Sequence, residues 1–259
     1  MDLGIAGRKA IVCASSRGLG KACALSLARE GVDVVINGRS EENLDAALGE
    51  LRSQGTGQVQ AVRADLNTAA GRAALVAACP DADILINNNE GPPPGAFSDW
   101  QPEDLQAALS ANLVAPVFMI QALIEGMKER RFGRIINITS AMVKSPRGAM
   151  GLSTAARSGL TALCKGLSRD VARFNVTINN LLPERFDTDR QKYMAQLAMN
   201  ARGISLEQAR QEMINSIAAR RLGRPEEFGD TCAYLCSAQA GFISGQNIQL
   251  DGGSYPGLI

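Results

Sequence analysis

Residues 9–31, Lys9-Ala10-Ile11-Val12-Cys13-Ala14-Ser15-Ser16-Arg17-Gly18-Leu19-Gly20-Lys21-Ala22-Cys23-Ala24-Leu25-Ser26-Leu27-Ala28-Arg29-Glu30-Gly31, decide the fold. The apolar run from Ala10 to Cys13 predicts a buried strand. It breaks into a loop of small residues that ends at Gly18-Leu19-Gly20. From there Ala22, Leu25, Leu27 and Ala28 recur at helical spacing until Gly31, a helix stop. A second strand, Val32 to Ile36, follows at once and closes a βαβ unit. Strand, glycine loop and helix bring bare backbone N–H groups and a helix N-terminus up to a diphosphate. The same residues also fit a glycine turn in an unrelated α/β protein, because a single Gly motif is weak.

The rest of the chain continues the alternation. A helix is predicted through Glu41–Leu51, strands over Gln58–Arg63 and Ile84–Asn87, and a loop at Pro92-Pro93-Pro94-Gly95. A long helix fills Pro102–Arg130, followed by a strand at Arg134–Thr139, a helix at Ser153–Arg173 and a strand at Val176–Leu181. Residues 187–216 read as a polar helical insertion without a strand. Pro225–Ser237 reads as a helix and Asn247–Leu250 as a last short strand. With no repeats or linkers, residues 1–259 are expected to form one α/β domain, a doubly wound parallel sheet with helices on both faces.

Composition narrows the function. The 259 residues carry a net charge of +1 with both signs scattered, which argues against nucleic acid and anionic membrane surfaces. The first strand begins within about ten residues, leaving no room for a signal peptide. No run reaches the roughly 18–20 apolar residues of a membrane span, so a cytoplasmic location is expected. Histidine is absent, which removes His-based triads and zinc sites. The six cysteines form no CxxC pair and read as reduced and structural, Cys232 and Cys236 being two packed thiols on one helix face.

Laid end to end, these features resemble the short-chain dehydrogenase/reductase family over nearly the full chain. Cys13-Ala14-Ser15-Ser16-Arg17-Gly18-Leu19-Gly20 stands where that family has TGxxxGIG, Asp65-Leu66 where it has an adenine-contacting Asp, and Asn87-Asn88-Asn89-Glu90 where it has NNAG. Asn112 falls at its active-site Asn, and Ile138-Thr139-Ser140 ends a strand as its catalytic Ser does. Arg221-Leu222-Gly223-Arg224-Pro225-Glu226-Glu227 and Gly245-Gln246 with Asp251-Gly252-Gly253 match its C-terminal signature. The resemblance implies a Rossmann-type fold, a helical substrate lid at about 187–216 and a two-fold-symmetric homotetramer. It also implies a cofactor held by Ser15, Ser16, Arg17, Gly18, Leu19, Gly20, Arg39, Asp65, Leu66, Asn87, Asn88, Arg157, Pro183 and Thr188.

Cofactor choice has a physical reading. An acid at the end of the second strand would bind a ribose hydroxyl and repel a 2′-phosphate. Here Asn37-Gly38-Arg39 puts Gly38 in that place with Arg39 beside it, and Arg17 adds a second guanidinium. Arginine binds phosphate through its fork, so NADP(H) is expected in preference to NAD(H).

The family's Tyr-x-x-x-Lys pair is missing. Thirteen residues beyond Ser140 stands Ser153, and the Lys position is Arg157. A phenol titrates near ~10 and can be tuned by a cation, whereas an aliphatic hydroxyl is a far weaker acid. Arg157 can bind ribose hydroxyls and supply charge but cannot relay a proton. Ala14, Asn89-Glu90 and Glu184 also depart from the pattern, and carboxylates near a cofactor phosphate would weaken its binding. Ser140 is expected to donate to the substrate oxygen and Asn112 to order a water chain. The substitute proton donor is expected to be Lys144, with its pKa lowered beside Arg157, or else Tyr193 of the lid, or Glu90 or Glu184. Apolar lid residues Met194, Leu197 and Met199 suggest a small, uncharged or weakly polar substrate.

Two functions stay open. One is an NADP(H)-dependent oxidoreductase that interconverts a carbonyl and a secondary alcohol. The other is a non-redox or catalytically degenerate protein on the same scaffold. Halohydrin dehalogenases also have Arg at the Lys position, but they keep the Tyr and lose the cofactor loop. This chain does the reverse, which favours the oxidoreductase.

Overall fold

Apolar strands that are buried on both faces must be covered on both faces, and the computed structural model, described over residues 1–258, is built that way. In chain order the elements are β1 (Lys9–Val12), α1 (Gly18–Arg29), β2 (Asp33–Gly38), α2 (Glu41–Gln54), β3 (Val59–Arg63), α3 (Ala69–Ala78) and β4 (Ile84–Asn87). Then come α4 (Pro102–Leu109), α5 (Ala115–Glu129), β5 (Gly133–Ile138), α6 (Gly151–Val171) and β6 (Val176–Pro183). The chain continues with α7 (Asp189–Arg202), α8 (Leu206–Asn215), α9 (Pro225–Cys236) and β7 (Asn247–Leu250). The sheet order is β3-β2-β1-β4-β5-β6-β7, and every pairing is parallel. The order reverses between β1 and β4, and the crevice at that switch point is where open α/β sheets bind ligands.

Two cores flank the sheet. On one face Leu27, Leu51, Phe228 and Leu235 from α1, α2 and α9 close over Val12, Val34, Ile84 and Ile136. On the other, Leu75, Met119, Leu123 and Leu160 from α3, α5 and α6 cover Ile11, Leu85, Ile135 and Ile178. Each large aliphatic side chain sealed in this way contributes about 1.5–3 kcal/mol.

Three differences from the expected elements have local causes. Helix α3 was not anticipated, because its Ala-rich sequence buries only Leu75; it is started by Thr68, whose side chain accepts from the Gly71 N–H. The insertion at 187–216 divides into α7 and α8, the latter opened by a Ser205–Gln208 capping box. The expected single helix Pro102–Arg130 is interrupted by a π-helical turn over Ser110–Val114. As one unit, Pro102–Glu129 is long and apolar enough to cross a membrane by length and composition, which corrects the expectation that no such run exists. Half of the relevant stretch is buried inside the protein, with Met119, Ile120, Leu123 and Met127 packed in the core.

A polar ladder crosses the sheet under α6. Asn87 Nδ2 donates to Asn137 Oδ1 at 2.9 Å, Asn137 Nδ2 to Asn180 Oδ1 at 2.9 Å, and Asn180 Nδ2 to Asn247 Oδ1 at 2.8 Å. These four residues are register partners on β4, β5, β6 and β7. Satisfied amides of this kind hold strand register where apolar contacts alone would permit slippage. The ladder lines up the strand ends from which the site is built.

Candidate active site

The loop after β1 is knotted to β2 from below. Ser15, fully buried, donates from Oγ to the Val12 carbonyl at 2.6 Å and accepts the Asn37 N–H at 3.0 Å. Its own N–H donates to the Asn37 carbonyl at 2.7 Å. Ser15 therefore shapes the loop, and its polar atoms are committed to protein partners. Ala14 stands at φ +44°, the strained left-handed region in which an alanine costs about 1 kcal/mol relative to glycine. Gly20 has to be glycine, since a Cβ there would lie 2.5 Å from the Ala14 carbonyl oxygen. This close approach sets the first turn of α1 against the loop. Arg17 is exposed, Ser16 and Gly18 are partly so, and Leu19 packs against the core; a cavity of about 250 Å³ lined by Arg17, Gly18, Lys21, Thr188 and Pro225 continues the α1 N-terminus.

At the end of β2, a Cβ on Gly38 would lie 2.9 Å from Ser16 Oγ. Any side chain there would press on Ser16, and the exposed Arg39 is the charged group next to it. Arg39 pairs with Glu90 at 2.5 Å, across the crevice above β1. Both side chains are more than half exposed, so the pair is worth at most about 1 kcal/mol and a phosphate can displace it. Asp65 caps the turn after β3, its Oδ1 accepting from the Asn67 N–H, while Leu66 is buried beneath it. Asn87 points into the sheet ladder rather than the crevice, and its Oδ1 is buried without a partner. Asn88 Nδ2 donates to the Ala14 carbonyl at 3.0 Å and ties β4 to the loop.

The other end of the crevice collects the chemistry. Asn112 sits in the π turn, a distortion common at functional sites, and its Nδ2 donates to the Glu90 carbonyl at 3.2 Å. Ser140 opens the turn after β5; its Oγ accepts from the Met142 N–H at 3.2 Å, which leaves its own proton free to donate outward. Across the first two turns of α6, Arg157 Nη1 donates to Ser153 Oγ at 2.7 Å. Burial, with the charge of Arg190 second, lowers the Arg157 guanidinium to about 10. It therefore stays cationic at neutral pH.

Lys144 and Tyr193 each face a neighbour of opposite kind, a ring for the ammonium and a guanidinium for the phenol. The Lys144 ammonium lies 5.6 Å from the centre of the Tyr255 ring. Tyr193, nearly half exposed on α7, is faced by the Arg190 guanidinium at 5.6 Å. Glu184, beside Pro183 at the end of β6, is taken by Arg147 at 3.1 Å and Arg185 at 3.7 Å. Both carboxylates expected to disturb the cofactor are thus turned onto arginines. Thr188 precedes α7 without capping it, its Oγ1 donating back to the Phe186 carbonyl. All six cysteines are free and buried, and burial pushes Cys13 up to about 12 and Cys164 up to about 11, so neither is a thiolate nucleophile. Two features escaped sequence reading. The amide ladder was signalled by an Asn in each of the last four strands of the sheet. Arg190 was one arginine among many until the fold set it beside Arg157.

A family model described as enoyl-(acyl carrier protein) reductase matches residues 13–255. The chain is 32% identical to the NADPH-dependent reductase BacG of Bacillus subtilis (strain 168) over 256 residues, covering 97% of this chain and 99% of the relative. It is 29% identical to the 3-oxoacyl-[acyl-carrier-protein] reductase FabG of Vibrio cholerae, covering 98% and 99%. Among solved structures, L-sorbose reductase from Gluconobacter frateurii, complexed with NADPH and L-sorbose, superposes with a TM-score of 0.93 at 26% identity over the full length of both chains. By sequence and by fold, the chain belongs to the short-chain dehydrogenase/reductase family.

Proposed function

We propose that the protein is an NADP(H)-dependent oxidoreductase that interconverts a carbonyl and a secondary alcohol on a small molecule, with a proton donor other than a tyrosine. The observation that carries this reading is the end of β2: Gly38 carries no acid and is crowded by the Ser16 side chain, Arg39 next to it is exposed, and Arg17 follows Ser16 in the loop. The relatives that are NADPH-dependent reductases support it. NADPH would supply the hydride when bound. The loop N–H groups at Gly18–Gly20 and the α1 N-terminus would hold its diphosphate, Asp65 and Leu66 would border the adenine, and Arg39 would grip the 2′-phosphate. Pro183 and Thr188 would border the nicotinamide end.

In this reading Ser153 and Arg157 replace the Tyr and Lys of the family. Arg157 would hold ribose hydroxyls and keep a fixed positive charge beside the developing alkoxide. Ser140 would donate a hydrogen bond to the substrate oxygen. Asn112 would order water next to the Glu90 carbonyl. Lys144, four residues beyond Ser140 at the rim, would return the proton, with Tyr193 the next candidate. The helix faces that expose Leu105, Val114, Phe118 and Leu163 on α4, the π turn, α5 and α6 support assembly as a homotetramer. Six free thiols support a reducing, cytoplasmic setting.

The cofactor assignment predicts that NADPH binds at least tenfold more tightly than NADH in a fluorescence titration, equivalent to about 1.4 kcal/mol. Arg39→Ala should remove most of that difference, and equal affinities in the parent chain would refute the assignment. For the donor, kcat/KM across a carbonyl panel should fall about 100-fold in Lys144→Met, in line with a lost general acid. Losses in Ser153→Ala and Tyr193→Phe should be far smaller. Should no substrate turn over with NADPH bound, while Ser153→Tyr with Arg157→Lys restores reduction, the protein is the degenerate relative instead. For assembly, light scattering at micromolar concentration should give the mass of four chains; a single-chain mass would exclude the tetramer.

A further inference from the structure

Two guanidinium groups converge on the Gly91–Pro92 segment at the mouth of the crevice. Arg157 Nη1 reaches it from α6, lying 3.3 Å from the place where a Cβ on Gly91 would stand. Arg190 reaches it from the first turn of α7, with Nη2 donating to the Pro92 carbonyl at 2.8 Å. Each has five N–H donors. Among the described residues Arg157 uses its side chain in one hydrogen bond, to Ser153, and Arg190 in one, to Pro92.

Neither is in an ion pair among the described residues, and the acidic groups around the mouth are engaged elsewhere. Glu90 is held by Arg39, Glu184 by Arg147 and Arg185, Asp187 by Arg210, and Asp189 by Lys192. Two partly buried like charges that share one segment repel each other, and leaving them without a counter-charge is unfavourable. A protein that keeps them so must recover the cost from something that enters the crevice. Planar guanidinium forks match a carboxylate, which can accept two N–H groups on each oxygen.

We infer that Arg157 and Arg190 form an anion subsite for a carboxylate of the substrate. The inference rests on the reductase reading and deepens it: the substrate is an oxo acid, or its hydroxy acid partner, with the carboxylate bridging the two guanidinium groups. The reacting carbonyl then lies toward Ser140. Arg190 travels with α7, so the carboxylate also ties the lid to α6 and closes the crevice over the reacting atoms. The apolar lid residues Met194, Leu197 and Met199 suggest an uncharged substrate; the paired arginines on the same side of the mouth set the opposite requirement. The cofactor's diphosphate is the other anion that could reach Arg190, and the test separates the two.

The experiment compares each oxo acid with its own neutral ester: pyruvate with ethyl pyruvate, levulinate with ethyl levulinate, and benzoylformate with ethyl benzoylformate. Steady-state NADPH oxidation is measured for the parent chain, Arg190→Met and Arg190→Lys, and the NADPH dissociation constant is measured for each. The acid should be preferred over the ester by more than tenfold in kcat/KM in the parent chain. Arg190→Met should abolish that preference mainly through KM, Arg190→Lys should restore part of it, and NADPH affinity should stay the same in all three. Equal use of acid and ester by the parent chain overturns the proposal, as does a preference that survives Arg190→Met. NADPH affinity that falls along with the acid preference also overturns it, since Arg190 then serves the cofactor's phosphates. Failure of the parent chain to bind NADPH would sink the reductase reading alone. Thermal stabilisation by benzoylformate over its ester, lost in Arg190→Met, would still uphold the subsite, and its absence would reject it.

Discussion

A partly buried guanidinium with no carboxylate partner among the described residues organises this site. Arg157 is lowered to about 10 by burial and by Arg190, yet it remains charged at neutral pH. Its one side-chain hydrogen bond among the described residues goes to a serine hydroxyl. Bringing such a charge out of water costs several kcal/mol unless other groups restore the lost hydrogen bonds. The surroundings offer little within the chain: Gly91 presents no side chain, and the nearby acids answer to other arginines. The site is thus electrostatically incomplete as built, and its ligands complete it.

The two halves of the crevice divide the work. At the β1, β2 and β3 ends the structure prepares for phosphates: a loop braced by Ser15 and Asn37, a helix N-terminus pressed close by Gly20, and Arg39 held in reserve by an exposed pair with Glu90. A carboxylate partner that is half in water is easily exchanged for a phosphate, which carries more charge. At the β5 and β6 ends the prepared charge is positive and fixed. A tyrosine and lysine pair would share a proton there. Ser153 and Arg157 place a hydroxyl beside a cation, and in the proposed function the proton-transfer role falls to another side chain.

Much of this was legible in the sequence, for identifiable reasons. The change of period from strand to helix around Gly18 and Gly20, the bare Gly38 and the Ser153 and Arg157 substitutions are local features that survive folding unchanged. Ala14 was legible as a departure from the family's loop pattern, and the fold gives it a positive φ. What escaped reading was relational. Helix α3 is Ala-rich and buries one leucine, so it has almost no periodic signal. The π turn at Asn112 leaves composition untouched. Ser15 and Asn87 carry side chains suited to a ligand, but register turns both toward the protein interior. The contact between the Lys144 ammonium and the Tyr255 ring is relational in the same way, since it joins the turn after β5 to the C-terminal segment.

The central claim is that the Arg157 cation recognises a negatively charged substrate, and the pH dependence of acid-over-ester selectivity tests it most directly. Taking the ratio of kcat/KM for benzoylformate and ethyl benzoylformate cancels the titration of any proton donor common to both. Lowered to about 10, the guanidinium is charged below that pH and neutral above it. The ratio should therefore be constant from about pH 6 to 9 and fall as the pH passes the lowered Arg157 value. A ratio that changes between pH 6 and 8 would show that another group governs recognition and would contradict the account.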